Sequence, residues 1–212
     1  MTKRILCFGD SNTWGFDPAT QTRFDETIRW PRVLGSELGE GYEIVEEGLC
    51  GRTTVWDDPI EGDASKNGLK YLIPCLESHR PLNLVIILLG TNDLKQRFNV
   101  SAFDIANGTG KLIRAVQISQ TGIDDRAPPV VLLAPPPTTT LTEYAETLEG
   151  AGKKSALFGM HYERVAKEMD CVFLDTGLHI VSSPVDGIHF DAPEQQKLGR
   201  AVAATIRNKL RL

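Results

Sequence analysis

The stretch Arg4–Ser11, RILCFGDS, decides the fold, because a short apolar run ends abruptly in a glycine, an aspartate and a serine. Two later runs are equally rich in Ile, Val and Leu, at Leu84–Leu89 (LVIILL) and Val130–Ala134 (VVLLA). Nearly continuous apolar runs of this length are typical of strands in a parallel sheet that is covered on both faces. With the weaker runs Tyr42–Glu46 and Cys171–Leu174, the sequence predicts five strands, the first of them covering the letters RILCF.

Amphipathic segments lie between the predicted strands, with apolar residues at helical spacing. Five helices are predicted, at Trp30–Leu38, Gly68–His79, Ser101–Gln120, Ala151–Met169 and Pro193–Leu210. Strands that alternate with helices form right-handed β-α-β units around an open sheet. We therefore expect an α/β fold, namely a three-layer α/β/α sandwich with a five-stranded, mostly parallel sheet of the flavodoxin-like type, in a single domain over residues 1–212.

Composition and charge exclude several classes of protein. The chain has 212 residues and a net charge of -5, and it contains no dense basic run that would bind nucleic acid. The apolar run Ile5–Phe8 is too short for a signal peptide, and no stretch approaches the roughly 18 to 20 apolar residues that span a bilayer. These features favour a cytoplasmic protein that binds neither nucleic acid nor a membrane.

The four cysteines are scattered, at positions 7, 50, 75 and 171, with no CxxC pair. Three of them lie in apolar patterns, which favours buried thiols, while a disulfide or a zinc site is the less favoured alternative. His189 has an aspartate and a glycine just before it in the sequence, whereas the other three histidines, His79, His161 and His179, have no such neighbours. We expect these three to be solvated or to have hydrogen-bond partners in the core.

Polar and glycine-rich motifs follow the predicted strands, where open α/β sheets bind their ligands. The motif GDSNTWG places Ser11 at a strand-to-helix turn. A serine there could be a helix N-cap, or it could be a nucleophile exposed at the end of the sheet, beside helix N–H groups that stabilise an oxyanion. The motif does not match the GxSxG elbow, so the motif alone leaves both interpretations open.

Asp186 and His189 form a D-x-x-H pattern in a late loop, with Gly187 between them. Over this spacing the carboxylate can fold back onto one imidazole nitrogen and leave the other free to face a hydroxyl, as in a catalytic triad. The alternative is a capping aspartate beside a surface histidine. Asn92 in GTND and Gly51 in LCGR could donate N–H groups to an oxyanion, or could be plain turn residues. Together the motifs predict acyl transfer.

Four blocks of the sequence resemble the signature blocks of the SGNH (GDSL-type) hydrolase family. The family's Ser, Gly, Asn and His match Ser11 in GDSNTWG, Gly51 in GLCGRTT, Asn92 in GTND and His189 in DGIH. The blocks keep the family's order along essentially the whole chain. The chain looks closest to the bacterial arylesterase and acyltransferase (perhydrolase) branch.

The resemblance implies a serine esterase that hydrolyses short-chain acyl esters (acetyl, aryl or carbohydrate) through an acyl-serine intermediate. It implies that Ser11 is the nucleophile, His189 the general base and then acid, and Asp186 its partner. The implied oxyanion donors are the N–H groups of Ser11 and Gly51 and the side chain of Asn92. It implies no metal and no organic cofactor, and relatives also transfer acyl groups to alcohols or to hydrogen peroxide.

Further residues are expected to border the substrate. They are Asp10, Asn12, Trp14, Thr91 and Phe190. Asn12 replaces the leucine that gives the family its name, so substrate preference cannot be copied from a relative that keeps the leucine. The long polar stretches 18–30 and 135–150 are expected to form entrance or interface loops. The resemblance also implies a homo-oligomer with a small-molecule ester as its substrate.

The alternative from another functional class is a non-catalytic, flavodoxin-like small-molecule binding module, since helix N-termini after strands also bind phosphate. Against it, the chain has neither GxGxxG nor the P-loop GxxxxGK[ST], and such a module gives no reason for the Asp186–His189 pattern. A metal-dependent phosphatase is a third alternative, but the expected carboxylate cluster is missing from the sequence.

Overall fold

A computed structural model describes residues 2–210 of the chain. The elements run, in chain order, β1 (Lys3–Gly9), α1 (Ser11–Trp14), β2 (Phe16–Asp17), β3 (Thr22–Arg23), α2 (Trp30–Leu38), β4 (Tyr42–Gly48), α3 (Gly68–His79), β5 (Leu84–Leu88), α4 (Ala102–Gln117), β6 (Val130–Ala134), α5 (Ala151–Ser155), α6 (Phe158–Glu168), β7 (Val172–Asp175) and α7 (Ala192–Lys209). Short 3₁₀ turns connect several of these elements.

The main sheet has five strands in the order β4-β1-β5-β6-β7, and every neighbouring pair is parallel. The order reverses direction at β1, which lies between β4 and β5. In open α/β sheets such a reversal opens a crevice at the carboxyl ends of the strands. The segment after β1, which contains Ser11, therefore starts at the edge of the sheet where ligands bind.

Both faces of the sheet are buried, as the continuous apolar strands predict. On one face Leu6, Phe8 and Ile87 pack in a cluster that includes residues of α3, α4 and α6. On the other face Ile5 and Ile86 pack with residues of α2 and α7. Alternate residues of one strand therefore enter opposite cores, which makes the three-layer α/β/α architecture and confirms the predicted fold class.

The predicted helices differ from the observed ones mainly at their ends. The fourth, predicted as continuous over Ala151–Met169, divides into α5 and α6. There the Ala156 N–H bonds to Gly152 and the Leu157 N–H bonds to Lys154, so the last turn tightens before α6 begins at Phe158. The third predicted helix, α4, starts one residue later than predicted, because Ser101 is its N-cap.

The cysteines are all free thiols, with Cys7 and Cys75 buried and Cys50 and Cys171 half-buried. No helix in the part of the chain described, residues 2–210, is long and apolar enough to cross a membrane.

Candidate active site

Ser11 is the first residue of the one-turn helix α1, directly beyond the end of β1. Asp10 caps this helix, because its Oδ1 accepts a hydrogen bond from the Asn12 N–H at 3.0 Å. A Cβ atom on Gly9 would lie 2.0 Å from Thr13 Oγ1, so only glycine lets the helix turn back so tightly against the strand. The turn places the Ser11 hydroxyl at the carboxyl end of the sheet.

A chain of two hydrogen bonds joins Ser11 to residues from the far end of the sequence. His189 Nε2 lies 2.8 Å from Ser11 Oγ, and His189 Nδ1 lies 2.6 Å from Asp186 Oδ2. All three side chains belong to buried residues, with Ser11 8% and His189 5% exposed. A hydroxyl, an imidazole and a carboxylate joined in this order have the geometry of a catalytic triad.

The loop that carries Asp186 and His189 is folded around the carboxylate. Asp186 Oδ1 accepts hydrogen bonds from the N–H groups of Ile188 and His189, both at 3.0 Å. Burial alone would raise the pKa of Asp186, but these bonds, the bond from the imidazole and the charge of His189 outweigh it and hold the pKa below its usual value. An ionised carboxylate at Nδ1 keeps the proton on that nitrogen, so Nε2 can accept the proton of Ser11.

Gly187 makes the tight turn between Asp186 and His189. Its φ of +90° lies in the left-handed region, and a Cβ atom would meet the Thr140 carbonyl oxygen at 2.8 Å. The Gly187 N–H bonds to the Ser183 carbonyl, and the Gly187 carbonyl accepts from the Thr139 N–H. The triad loop is therefore fixed against the segment that follows β6.

Gly51 and Asn92, the expected oxyanion donors, line one cleft with Ser11 and His189. The cleft has a volume of about 350 Å³, near the lower end of the range for small-molecule sites. Gly51 has a φ of +81° in the loop after β4, and Asn92 begins the 3₁₀ turn after β5. Thr91, which the sequence places beside the substrate, also lines the cleft.

A buried clamp joins the loops that carry these two donors. The Asp93 carboxylate accepts from the Thr54 N–H at 3.0 and 3.1 Å and from the Thr54 hydroxyl. Asp93 and Thr54 are both fully buried. Burial raises the pKa of Asp93 to about 7, although the bonds from Thr54 act in the opposite direction. Because Asp93 follows Asn92 and Thr54 lies three residues beyond Gly51, the clamp fixes one donor relative to the other.

Four residues expected at the substrate do not line the cleft. Asp10 is 1% exposed, and burial, opposed mainly by the Asn12 N–H, raises its pKa to about 6. Asn12 Nδ2 donates to the Ile188 carbonyl at 3.2 Å. The Trp14 ring lies 5.2 Å from the Arg23 guanidinium, and Phe190 is fully buried in the core cluster beside α2 and α7. Within the single turn of α1, Asn12 is buried and Trp14 stacks on the exposed Arg23, so only Ser11 lines the cleft.

Sequence reasoning missed the aromatic wall of the cleft. The Phe16 ring centroid lies 4.3 Å from that of His189, and the Tyr144 centroid lies 6.1 Å from it. Leu148 and Ile188 extend this apolar side. Tyr144 and Leu148 belong to the long stretch 135–150, whose length was the one signal that could have identified them. Phe16, in the short hairpin β2-β3, had no such signal.

The opposite wall is polar and was also missed. Lys95 Nζ bonds to Asp58 Oδ2 at 3.1 Å and to Glu61 Oε2 at 2.6 Å, and Lys66 Nζ bonds to the Cys50 carbonyl. A Cβ atom on Gly51 would lie 3.0 Å from Glu61 Oε2, so the carboxylate packs directly against this glycine. The cleft therefore has an apolar side next to His189 and a charged side next to Gly51.

Comparison with known proteins identifies the family of the chain. Residues 7–197 match the GDSL-like lipase/acylhydrolase family. The M. smegmatis aryl esterase is 41% identical, with 99% of this chain and 100% of that chain covered and a TM-score of 0.93. Est24, a carbohydrate acetylesterase from Sinorhizobium meliloti, is 39% identical, with coverage of 98% and 99% and a TM-score of 0.93.

A further carbohydrate acetylesterase family member from Sinorhizobium meliloti is 34% identical over 100% of both chains, with a TM-score of 0.94. A comparison with curated proteins found no match. The family match covers most of the chain, and these related structures cover nearly all of it. The chain belongs to the GDSL-like lipase/acylhydrolase family and is a carboxylic ester hydrolase.

Proposed function

We propose that the protein is a two-step serine esterase in which Ser11 is the nucleophile, His189 the general base and acid, and Asp186 the orienting carboxylate. The observation that carries this proposal is the continuous hydrogen-bonded chain from Asp186 Oδ2 through the imidazole to Ser11 Oγ, at 2.6 and 2.8 Å. It opens into a cleft of a size suited to a small ester.

In the first step His189 Nε2 takes the proton of Ser11 as Oγ attacks the ester carbonyl carbon. The oxygen of the tetrahedral intermediate accepts from the N–H groups of Ser11 and Gly51 and from Asn92 Nδ2. Loss of one such donor typically costs roughly 10²–10³ in rate. The intermediate then breaks its bond to the alcohol oxygen, which takes the proton from His189 as it leaves.

In the second step His189 removes a proton from water as the water oxygen attacks the acyl carbon. The tetrahedral intermediate releases the acid, and the proton returns to Ser11 Oγ. The same donors serve both steps, because the carbonyl oxygen occupies the same position in each. The Asp93–Thr54 clamp keeps the donors in place between the two steps.

The preferred substrates are esters of aryl alcohols with short acyl groups. Since His189 protonates the leaving oxygen, the alcohol lies next to the imidazole, where Phe16 and Tyr144 form an aromatic wall. Aromatic rings favour offset or edge-to-face packing with one another. The similarity to the M. smegmatis aryl esterase supports this substrate class. The polar wall of Glu61, Lys66 and Lys95 makes esters of carbohydrate hydroxyls the second candidate.

The catalytic roles are tested by the initial rate on phenyl acetate for the wild type, Ser11→Ala and His189→Ala. We expect each variant to lose at least about 10³-fold in kcat, because nucleophile and base act as a unit. Ser119→Ala and His161→Ala, which lie outside the cleft, are matched controls and keep wild-type rates. Full activity in Ser11→Ala would contradict the mechanism.

The leaving-group preference is tested with phenyl acetate and hexafluoroisopropyl acetate, whose alcohols have similar acidity, and with acetylated xylose. We expect the highest kcat/KM for phenyl acetate, since only its alcohol packs against the aromatic wall. A higher kcat/KM for hexafluoroisopropyl acetate would contradict the aryl preference, and a higher value for acetylated xylose would favour carbohydrate esters.

We further propose that the enzyme is a homo-oligomer that acts in the cytoplasm. Four free thiols are typical of a reducing compartment. Large apolar side chains that are exposed, among them Ile73, Ile118 and Leu178, support an interface between copies. Light scattering coupled to gel filtration measures the mass, and a value of one chain at micromolar concentration would contradict the oligomer.

A further inference from the structure

Three side chains that can ligate metals meet outside the catalytic cleft, along the edge strand of the sheet. Cys75 and His79 lie four residues apart on α3 and therefore on one face of that helix. Glu47 is the penultimate residue of β4. The thiol sulfur, an imidazole nitrogen and a carboxylate oxygen of these residues all lie within 4.8 Å of one another.

We propose that Glu47, Cys75 and His79 form a binding site for a zinc ion, which plays no part in the esterase reaction. Sulfur, nitrogen and carboxylate oxygen are the three donor types that zinc accepts together in proteins. Magnesium and calcium require oxygen ligands almost exclusively, so this donor set disfavours both ions. Zinc binding replaces the S–H bond of Cys75 with a Zn–S bond and releases the proton to water.

The hydrogen bonds of the cluster already orient the ligands. Glu47 Oε1 lies 2.9 Å from His79 Nε2, and the Tyr71 hydroxyl donates to Glu47 Oε2 at 3.2 Å. Both carboxylate oxygens therefore have a partner on α3, and the imidazole turns Nε2 toward the carboxylate. Only small side-chain movements are needed to bring the three donors to the roughly 2.0–2.3 Å bond lengths of zinc.

Burial distinguishes an inner and an outer side of the site. Cys75 is 3% exposed, whereas the side chains of Glu47 and His79 are 19% and 32% exposed. The thiol thus closes the inner side, and solvent reaches the outer side. Three protein ligands with one position open to water are a common zinc arrangement.

Two cations lie beside this site: Arg4 Nη1 donates to the His79 carbonyl at 3.1 Å, and Arg52 contacts Glu47, with contacts that are compatible with a bound ion. The Arg52 guanidinium lies 4.2 Å from the Phe8 ring and 5.0 Å from the Tyr71 ring, and Nη1 donates to the carbonyls of Gly9 and Glu47. Zinc with one thiolate and one carboxylate is a neutral group, so Arg52 would face no net positive charge.

Metal binding is tested by stripping the full-length protein with a chelator, dialysing it against zinc and measuring the zinc that remains after gel filtration. We expect about one zinc per chain in the wild type and in Ser11→Ala. Cys75→Ser and His79→Gln should bind at least about tenfold more weakly, since each removes a ligand. Cys171→Ser and His161→Gln are matched controls for the thiol and the imidazole, and keep wild-type binding.

Cobalt(II) identifies the ligand directly, because a cobalt–thiolate bond gives a charge-transfer band in the near ultraviolet. We expect the band in the wild type and in Cys171→Ser, and its loss in Cys75→Ser. His79→Gln is the second variant in case Cys75→Ser does not fold, because the His79 side chain is partly exposed and its replacement disturbs the core less. This variant should shift the visible cobalt bands. No retained zinc in the wild type, or a thiolate band that survives in Cys75→Ser, would overturn the proposal.

Discussion

Asn12, the residue directly after the nucleophile, connects the two ends of the chain. Its side-chain Nδ2 donates to the Ile188 carbonyl, and its own carbonyl accepts from Gln195 Nε2 at 3.0 Å. Ile188 precedes His189, so the amide holds the imidazole loop against the helix that carries Ser11. The leucine that the SGNH family has in this place could not make this bond.

Replacing Asn12 with leucine tests this positioning role. We expect Asn12→Leu to lower kcat by about fivefold with little change in KM, since a lost hydrogen bond is worth about 1 kcal/mol and substrate contacts are retained. Steady-state kinetics on phenyl acetate separate the two constants. A rise in KM at constant kcat would instead place Asn12 in the substrate pocket.

Asp93 makes the stability of the protein depend on pH. Its pKa of about 7 in the folded state exceeds the usual 3.8, so the folded protein binds this proton more tightly than the unfolded chain. The stabilisation is fully present below pH 3.8 and is lost as the pH rises toward 7. We expect the free energy of unfolding of the wild type, relative to Asp93→Asn, to fall by at most about 1.4 kcal/mol per pH unit across this window.

Urea unfolding of both proteins between pH 4 and pH 7 measures this difference. Asp10, whose pKa of about 6 lies in the same window, is present in both proteins, but its charge also raises the pKa of Asp93, so the difference between the two proteins includes the interaction of the two carboxyl groups. Parallel pH profiles for the two proteins would show that Asp93 is ionised throughout.

At the scale of elements, the position of α1 depends on how closely it packs on the ends of two strands. Gly9 ends β1 and Gly48 ends β4, and the two residues are paired in the sheet. A Cβ atom on Gly48 would lie 2.1 Å from the Trp14 backbone nitrogen. Backbone atoms cannot rotate away as a flexible side chain can, so a larger residue at position 48 must move the helix.

Gly48→Ala is therefore expected to lower the free energy of unfolding by about 1–3 kcal/mol and to reduce activity, because α1 carries Ser11. Gly110→Ala in α4 is the matched control, since its Cβ would meet only Val165 Cγ1, at 3.4 Å. That variant should gain about 0.5–1 kcal/mol from the better helix former. Urea unfolding measures both, and a Gly48→Ala variant as stable as wild type would contradict the close packing.

At the scale of the whole molecule, the active site exists only when the sheet is complete. The Ser11 and His189 segments are 178 residues apart, and they meet because β1 lies inside the sheet, between β4 and β5, while the His189 loop precedes the last helix. The single domain over residues 1–212 stays a prediction. If the chain is a single domain, the active site is lost at the same denaturant concentration as the sheet and not at a lower one.

Equilibrium unfolding in urea tests this cooperativity. We expect esterase activity, far-ultraviolet circular dichroism and tryptophan fluorescence, to which the buried Trp30 contributes, to change at one urea midpoint. Loss of activity at a clearly lower urea concentration would show that the His189 loop unfolds separately from the sheet.

The sequence alone determined the layers of the fold and the chemistry at the sheet edge. The strand Val130–Ala134 and the helix Trp30–Leu38 match their predicted bounds, because hydrophobic periodicity is a local signal. Ser11, Asp186 and His189 could be put forward as a triad because motif spacing and the order of the four blocks are properties of the sequence; their hydrogen bonds are observed, and their catalytic roles stay a prediction.

Only the tertiary structure decided which side chains meet. It turned Asn12 and Phe190 away from the cleft, brought Phe16 and Tyr144 to the imidazole, and gathered the three metal-ligating side chains beside β4. Apart from the pair Cys75 and His79, which share one face of α3, these contacts have no local pattern, because they join residues on different elements whose approach is set by the packing of the sheet and its helices. The distances between such residues depend on the complete fold and cannot be derived from a short segment of the sequence.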